Sequence, residues 1–260
     1  MRVDVRLLVD LPEVYRDGDN TRLLPTGAIN NAVLALAGRH TASEPETYAL
    51  ALARHFLGAV PAAHTVDLRI TASEPAPLPA PGPGDEPMPG IRHFAAARPP
   101  HDHVQVVLAR DGESAVRGGL LDVELFVTGG ATFTGFARDA FTTTPSFTDR
   151  VFGARLDIGW LYAGTYDAGD AGYGDCRHRA RRAVEEGFTA HTSRSSQHTF
   201  HQLGAAVLDA CPEVGEVRVE GAHLTRALVD LGPFGVRNDG LVYTAADNQC
   251  STVAVDVRRN

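Results

Sequence analysis

The sequence predicts an α+β fold assembled by duplication, and three observations lead there. Short runs with apolar residues at every second position mark strands, and apolar residues three and four apart mark helices. The order strand-strand-helix-helix-strand-strand is also met twice along the chain, as a repeat of elements and not of residues.

The first pass begins with a strand over residues 1–9, where Val3, Val5 and Leu7 fall on one face. After the polar turn Arg16-Asp-Gly-Asp-Asn20, Pro25-Thr26 opens a helix with the stripe Ile29, Val33 and Leu36, and Gly38 stands at its end as a stop signal. Tyr48, Leu52 and Phe56 give a second helix over 46–59, and strands follow at His64–Ile70 and His103–Arg110. Between those strands, residues 73–90 are crowded with proline and glycine and read as a surface excursion or disordered loop. The second pass has strands at 121–128 and 151–162, helices at 174–187 and 195–210, and strands at 215–220, 226–231 and 249–257. The chain thus divides into halves 1–118 and 119–260, the first lacking its opening strand.

Composition excludes several classes of function. The net charge of −8 recruits neither nucleic acid nor an anionic membrane. No apolar run approaches the roughly 20 residues that cross a bilayer, and the alternating N-terminus is unlike a signal peptide. Cys176, Cys211 and Cys250 lack CxxC spacing, which argues against a disulfide framework or a cysteine zinc site and for a reducing, cytoplasmic setting. All 24 basic residues are arginine, so no lysine can act as base, nucleophile or proton relay.

The segment Phe133-Thr-Gly-Phe-Ala-Arg-Asp-Ala-Phe-Thr-Thr-Thr-Pro-Ser-Phe-Thr-Asp-Arg150 closely resembles the urate oxidase (uricase) pattern F-x-G-F-x-R-D-x-[YF]-T-T-L-x-x-T-x-D-R. Leu24-Pro-Thr-Gly-Ala-Ile-Asn-Asn31 resembles that family's P-T-D-x-x-K-N-T. Val229-Asp-Leu-Gly-Pro-Phe-Gly235 resembles V-D-L-S-P-F-G, Asn238-Asp-Gly-Leu-Val-Tyr243 continues it, and Ser196-Gln197 matches the ligand-binding V-Q step. The resemblance implies two tandem tunnelling-fold (T-fold) domains, with antiparallel sheets carrying helices on one face. It also implies a homotetramer with active sites shared between subunits, and oxidation of a small heterocycle by dioxygen with no metal or organic cofactor. In that frame, either the barrel is one strand short or the chain begins upstream of Met1.

The ligand clamp has a physical rationale. Urate is a flat, weakly acidic ring with carbonyl and N–H groups around its edge. A guanidinium fork can pair two ring acceptors and neutralise an anion. A carboxamide can read a neighbouring donor–acceptor pair, and an aromatic ring can stack on the flat face. By position Arg150, Gln197 and Phe133 match these roles, with the Ser196 backbone N–H beside the glutamine. The competing readings, a surface ion pair for Arg150 and a strand-end core residue for Phe133, are disfavoured by the length of the motif match.

Catalysis is where the pattern breaks. The family moves protons with a lysine–threonine pair and a histidine. Thr26 holds the threonine position, the lysine would lie upstream of Met1, and Gly27 replaces an aspartate. The family's N-K-H is here His223-Leu-Thr225, which puts His223 on the asparagine and Thr225, as an accessory residue, on the histidine. A slip of two places His223 on the histidine instead, and strand alternation keeps it on the same face either way. His93, His101 and His103 suggest a metal site less than solvated histidines at a loop–strand junction. Arg177-His-Arg-Ala-Arg-Arg182, followed by Glu185 and Glu186, reads as a solvent-facing or inter-subunit surface.

The sequence therefore indicates a cofactor-free, uricase-like oxidoreductase acting on a purine-like or related fused N-heterocycle, diverged from efficient urate oxidation. Two alternatives stay open: a binding protein that keeps the clamp, and a hydratase or ring-opening enzyme that uses the same deprotonating site without oxygen. A truncated form of an ordinary uricase would explain the missing strand, but not the loss of N-K-H.

Overall fold

Val3, Val5 and Leu7 alternate with Arg2, Asp4 and Arg6, and the alternation becomes a strand with one half-buried and one exposed face, β1 (Arg2–Val9). A computed structural model describes residues 1–40, 44–73, 76–77, 94–95, 98–164, 172–239, 242–246 and 251–259. Beyond β1 come a short helix α1 (Pro12–Arg16), helices α2 (Thr26–Arg39) and α3 (Pro45–Ala59), strand β2 (Ala63–Ala72), the two-residue strands β3 (Ala76–Pro77) and β4 (Phe94–Ala95), and β5 (His101–Ala109). The second half continues with β6 (Ser114–Phe133), β7 (Phe147–Tyr162), α4 (Tyr173–Ala190), α5 (Ser196–Ala210), β8 (Val214–Leu228), a 3₁₀ turn (Gly232–Phe234), β9 (Tyr243–Ala246) and β10 (Thr252–Arg258).

Antiparallel pairing joins the strands in the order β1-β2-β5-β6-β7-β8-β10, with β9 added to β8 and β3–β4 forming a separate pair. This is the expected α+β arrangement, one sheet with its helices on one side. Residues 74–75, 78–93 and 96–97 lie outside the described residues, and with them most of the proline-rich stretch. The long strand β6 crosses from one half to the other: its first part pairs with β5, and pairing with β7 runs from Arg117 to Phe133. At the crossing Asp122 takes a positive φ of 58°, its N–H donating to Asp157 Oδ1 at 3.0 Å, and the register shifts.

A single hydrophobic cluster runs under both halves. Tyr48, Leu52 and Phe56 of α3 meet Val66, Leu68 and Ile70 of β2, while Phe200, Leu203 and Val207 of α5 meet Val217 and Val219 of β8; Trp160 of β7 belongs to the same cluster. The opposite face of the sheet is polar, with ion pairs such as Arg155–Glu124 and Arg218–Asp256. The halves are also joined inside the helix layer. Glu46 of α3, fully buried, is paired with Arg177 of α4 and accepts from Tyr162 Oη at 3.2 Å, and Asp102 takes Arg181 at 3.1 Å. A lone carboxylate could not leave water there without such a counter-charge. Between α4 and α5 lie two fully buried free thiols, with Cys211 Sγ donating to the Cys176 carbonyl at 3.4 Å.

Several sequence expectations are corrected. Arg177 is not solvent-facing: its segment forms buried or half-buried ion pairs with Glu46, Asp102 and Glu213, and only Arg182 with Glu186 is an exposed pair. Gly38 does not end α2, which runs on to Arg39 with His40 as its cap. The strands expected at 215–220 and 226–231 are one strand, β8, continuous through Gly221. A Cβ at Gly221 would stand 2.1 Å from the Arg155 carbonyl oxygen, so only glycine lets β7 and β8 approach there. His103 is not a solvated histidine, because its Nδ1 is buried on the polar face, and burial and then Arg69 hold its pKa below the ordinary value.

Candidate active site

The clamp region lies where β6 and β7 lose their regular register. β6 bulges between Val127 and Ala131, where Gly130 has a φ of 81° and its N–H donates to Asp149 Oδ1 at 2.6 Å. Bulges of this kind re-aim the side chains beside them. Arg150, paired with Ala131, falls on the same face of β7 as Phe152 and Ala154, at the end of the sheet. His223 stands opposite Ala154 on β8 and so shares that face. The structure thus brings Arg150 and His223 together.

Arg150 is enclosed by aromatic rings. Its Cζ lies 5.2 Å from the Phe133 centroid, 5.8 Å from Phe147 and 6.0 Å from Phe152. Its Nε is buried without a hydrogen-bond partner, and no carboxylate among the described residues pairs with it. Burial lowers its pKa, yet a guanidinium stays charged. The result is a cation held partly out of water and not paired with a carboxylate among the described residues, although Asp149 lines the same cleft.

His223 is the complementary group. Its ring packs 5.4 Å from Phe152, and Nε2 is buried with no partner. Burial first, and then the charge of Arg150, push its pKa below the ordinary 6.5, so at neutral pH it is an uncharged imidazole able to accept a proton. Both residues line a cleft of about 440 Å³ with Thr128, Phe147, Asp149, Val151, Arg226, Leu228 and Tyr243.

None of the other expected site residues lines this cleft. Phe133 touches Arg150 but is not among the residues lining the cleft; its ring is stacked on Phe136 at 4.7 Å, and Arg138 covers Phe136 at 4.7 Å. Ser196 and Gln197 form the first turn of α5, where Ser195 caps the helix by accepting from His198 N–H at 3.1 Å. First-turn N–H groups have no acceptor within the helix, so the Ser196 N–H suits an external one. The loop before α5 is tied to the end of β6 through Thr132 N–H to the Ser193 carbonyl at 2.7 Å, next to Phe133. Thr225 pairs with Ala246 of β9, two residues past His223, and its side chain lies outside the described residues. Thr26, exposed at the start of α2, is not part of the cleft.

Sequence reasoning missed Phe147, Arg226 and Tyr243 as lining residues. A signal existed for Phe147, which stands where the quoted pattern has threonine. Among the described residues no three His, Cys, Asp or Glu side chains converge as a metal site, and no helix is long and apolar enough to cross a membrane.

Residues 116–254 match the family described as Uricase. The chain belongs to the uricase family. A uricase of Schizosaccharomyces pombe is 27% identical over 246 residues, covering 92% of this chain and 80% of the relative. That of Arthrobacter globiformis is 26% identical over 259 residues, covering 100% and 81%. The crystal structure of the A. globiformis uricase superposes with a TM-score of 0.82 at 23% identity, covering 99% of this chain and 84% of that one. A uricase from Bacillus fastidious gives 0.79 at 21%, covering 98% and 81%. The T-fold expectation therefore holds. The matched span contains Phe133, Arg150, Ser196, Gln197, His223 and Thr225, whereas Thr26 lies before it.

Proposed function

We propose that this chain is a cofactor-independent oxidoreductase of the uricase type, acting with dioxygen on a purine-like or related fused N-heterocycle and diverged from efficient urate oxidation. The observation that carries the reading is the half-buried Arg150, its Nε buried without a partner, beside a neutral His223 in one cleft. A heterocycle entering there supplies the anion that Arg150 lacks. His223 takes a proton from a ring N–H, and Arg150 stabilises the electron-rich anion that results. Two electrons and two protons pass from the substrate to dioxygen, giving hydrogen peroxide, and water adds to the oxidised ring. Gln197 and the Ser196 N–H read the ring edge, Phe133 bounds the ring, and Thr225 is accessory.

In this reading the two halves, 1–118 and 119–260, are T-fold units, and the protein works in the cytoplasm as a homotetramer with Thr26 reaching the His223 of a neighbouring subunit. Supporting the assembly are the outer edges of β1 and β10, which no described strand pairs, the exposed Leu34, Phe141 and Phe234, and the position of Thr26 outside its own chain's cleft. A stable monomer by light scattering at micromolar concentration would remove the shared site.

Divergence rests on His223-Leu-Thr225 standing in place of N-K-H and on Gly27 in place of an aspartate. These substitutions also favour a second reading, a binding protein that retains the clamp. The test follows loss of the urate absorbance band together with oxygen uptake and peroxide release. We expect urate to bind but to turn over orders of magnitude below a typical enzyme's roughly 10 per second. Arg150→Lys should weaken binding by about 1.5–3 kcal/mol, since an ammonium cannot reproduce the fork. Rapid urate turnover would overturn the divergence, and binding without conversion of any heterocycle would favour the binding protein. Conversion that depends on His223 but consumes no oxygen would identify a hydratase or ring-opening enzyme.

A further inference from the structure

We propose that Phe147 sets the specificity of this cleft, and that the ligand is an anionic fused N-heterocycle bearing an alkylated, apolar edge in place of urate's wholly polar perimeter. The inference rests on the reading of Arg150 and His223 as the ligand site and adds to it the class of ligand.

The cleft is divided by chemistry. Arg150 and His223 offer a charge and a neutral imidazole, each with a buried ring or guanidinium nitrogen that no protein group satisfies. Asp149, the one carboxylate in the lining, accepts from the Gly130 N–H through Oδ1 at 2.6 Å, which takes up part of its acceptor capacity. Beside these groups stand Phe147, Val151, Leu228 and Tyr243, an apolar stretch of a lining that also holds Thr128 and Arg226. Within that stretch Phe147 stands against the clamp: it pairs across the strands with Phe133, and its centroid lies 5.8 Å from Arg150 Cζ. A ligand held by Arg150 therefore turns some part of its edge toward the phenyl ring.

Urate has a carbonyl or N–H group at every edge position. Whichever one faces Phe147 leaves water and gains no hydrogen bond, which is unfavourable. A methyl or longer alkyl group in that place loses nothing and gains apolar contact. A threonine, as in the family pattern quoted above, would offer a hydroxyl and more room. The phenyl ring removes both.

The experiment is calorimetric titration, under nitrogen, of urate and a set of N-methylated urates and xanthines into the wild-type protein, Phe147→Thr, Phe147→Val and Arg150→Ala. The best methylated ligand should bind the wild type about tenfold or more tightly than urate, the scale of one alkyl group in an apolar pocket. Phe147→Thr should cancel or reverse that ratio. Phe147→Val, nearly the shape of threonine without its hydroxyl, should keep most of it, and comparing these two variants separates polarity from volume. A wild type that prefers urate overturns the proposal without any variant, as does a ratio unchanged in Phe147→Thr while both ligands still need Arg150. Binding insensitive to Arg150→Ala, or none by any heterocycle, would instead remove the site reading itself, and this inference with it.

Discussion

The helices before and after the crossing strand β6 are covered very differently. In the second half, α4 lies over β6 and against α5, burying Tyr173, Cys176, Ala180 and Val184. In the first half, the corresponding helix α2 packs chiefly on α3 and has no fully buried residue over its 14 positions. The apolar stripe Ile29, Val33 and Leu36 is present in both sequence and structure, yet it is only half covered. The difference lies beneath the helix: α4 has strand β6 beyond β7 to rest on, and no described strand lies beyond β1 under α2. Periodicity made α2 legible as a helix, but it cannot report whether a surface waits below. The catalytic threonine proposed for the shared site, Thr26, sits at the start of this poorly covered helix.

Three measurements press on that contrast. The largest effect is expected at Phe200 of α5, fully buried in the common core, where Phe200→Ala should cost about 3–5 kcal/mol in urea unfolding. A loss under about 1 kcal/mol would mean that the second half is not the better packed one.

A smaller effect concerns acid. Burial, before any charge effect, holds His103 in the first half and His191 and His223 in the second below the ordinary value of 6.5. Each imidazole is therefore protonated more readily in the unfolded chain. The associated stability is whole above about pH 6.5 and is lost progressively as pH falls toward and below the depressed folded values. The urea midpoint should drop between pH 7 and pH 5.5, and the double variant His191→Gln/His223→Gln should flatten that slope more than His103→Gln does. An equal or greater flattening by His103→Gln would locate the acid sensitivity in the first half.

The smallest effect is expected at Leu34 of α2, which is 71% exposed: Leu34→Ala should change stability by less than about 0.5 kcal/mol in an isolated chain. A loss several times larger that also depends on protein concentration would show that another copy covers α2.

Much of the fold was legible because alternation and helical spacing are local properties. The ends of β1, α3, α4 and α5 fall within three residues of where the pattern puts them. The unity of β8 was hidden by Gly221, which interrupts the apolar alternation for a reason visible only in three dimensions, the passing carbonyl of Arg155. Of the site, Arg150 and His223 could be read from a linear motif. Phe147 and Tyr243 could not be placed in one cleft, since 96 positions separate them and the sheet alone brings them together. The burial of His103 and Arg177 was equally invisible, because a charged segment gives no sign of the carboxylates, Glu46 and Asp102, that will meet it.

The two thiols sealed between α4 and α5 have a practical consequence. Neither can meet a reagent while these helices stay closed. With Cys250, outside the described residues, changed to serine, the rate at which a thiol-reactive dye consumes Cys176 and Cys211 becomes a clock for separation of the helix pair. Following that clock with and without a bound heterocycle would show whether occupancy at the first turn of α5 is felt at its far end, without any need for the ligand to be turned over.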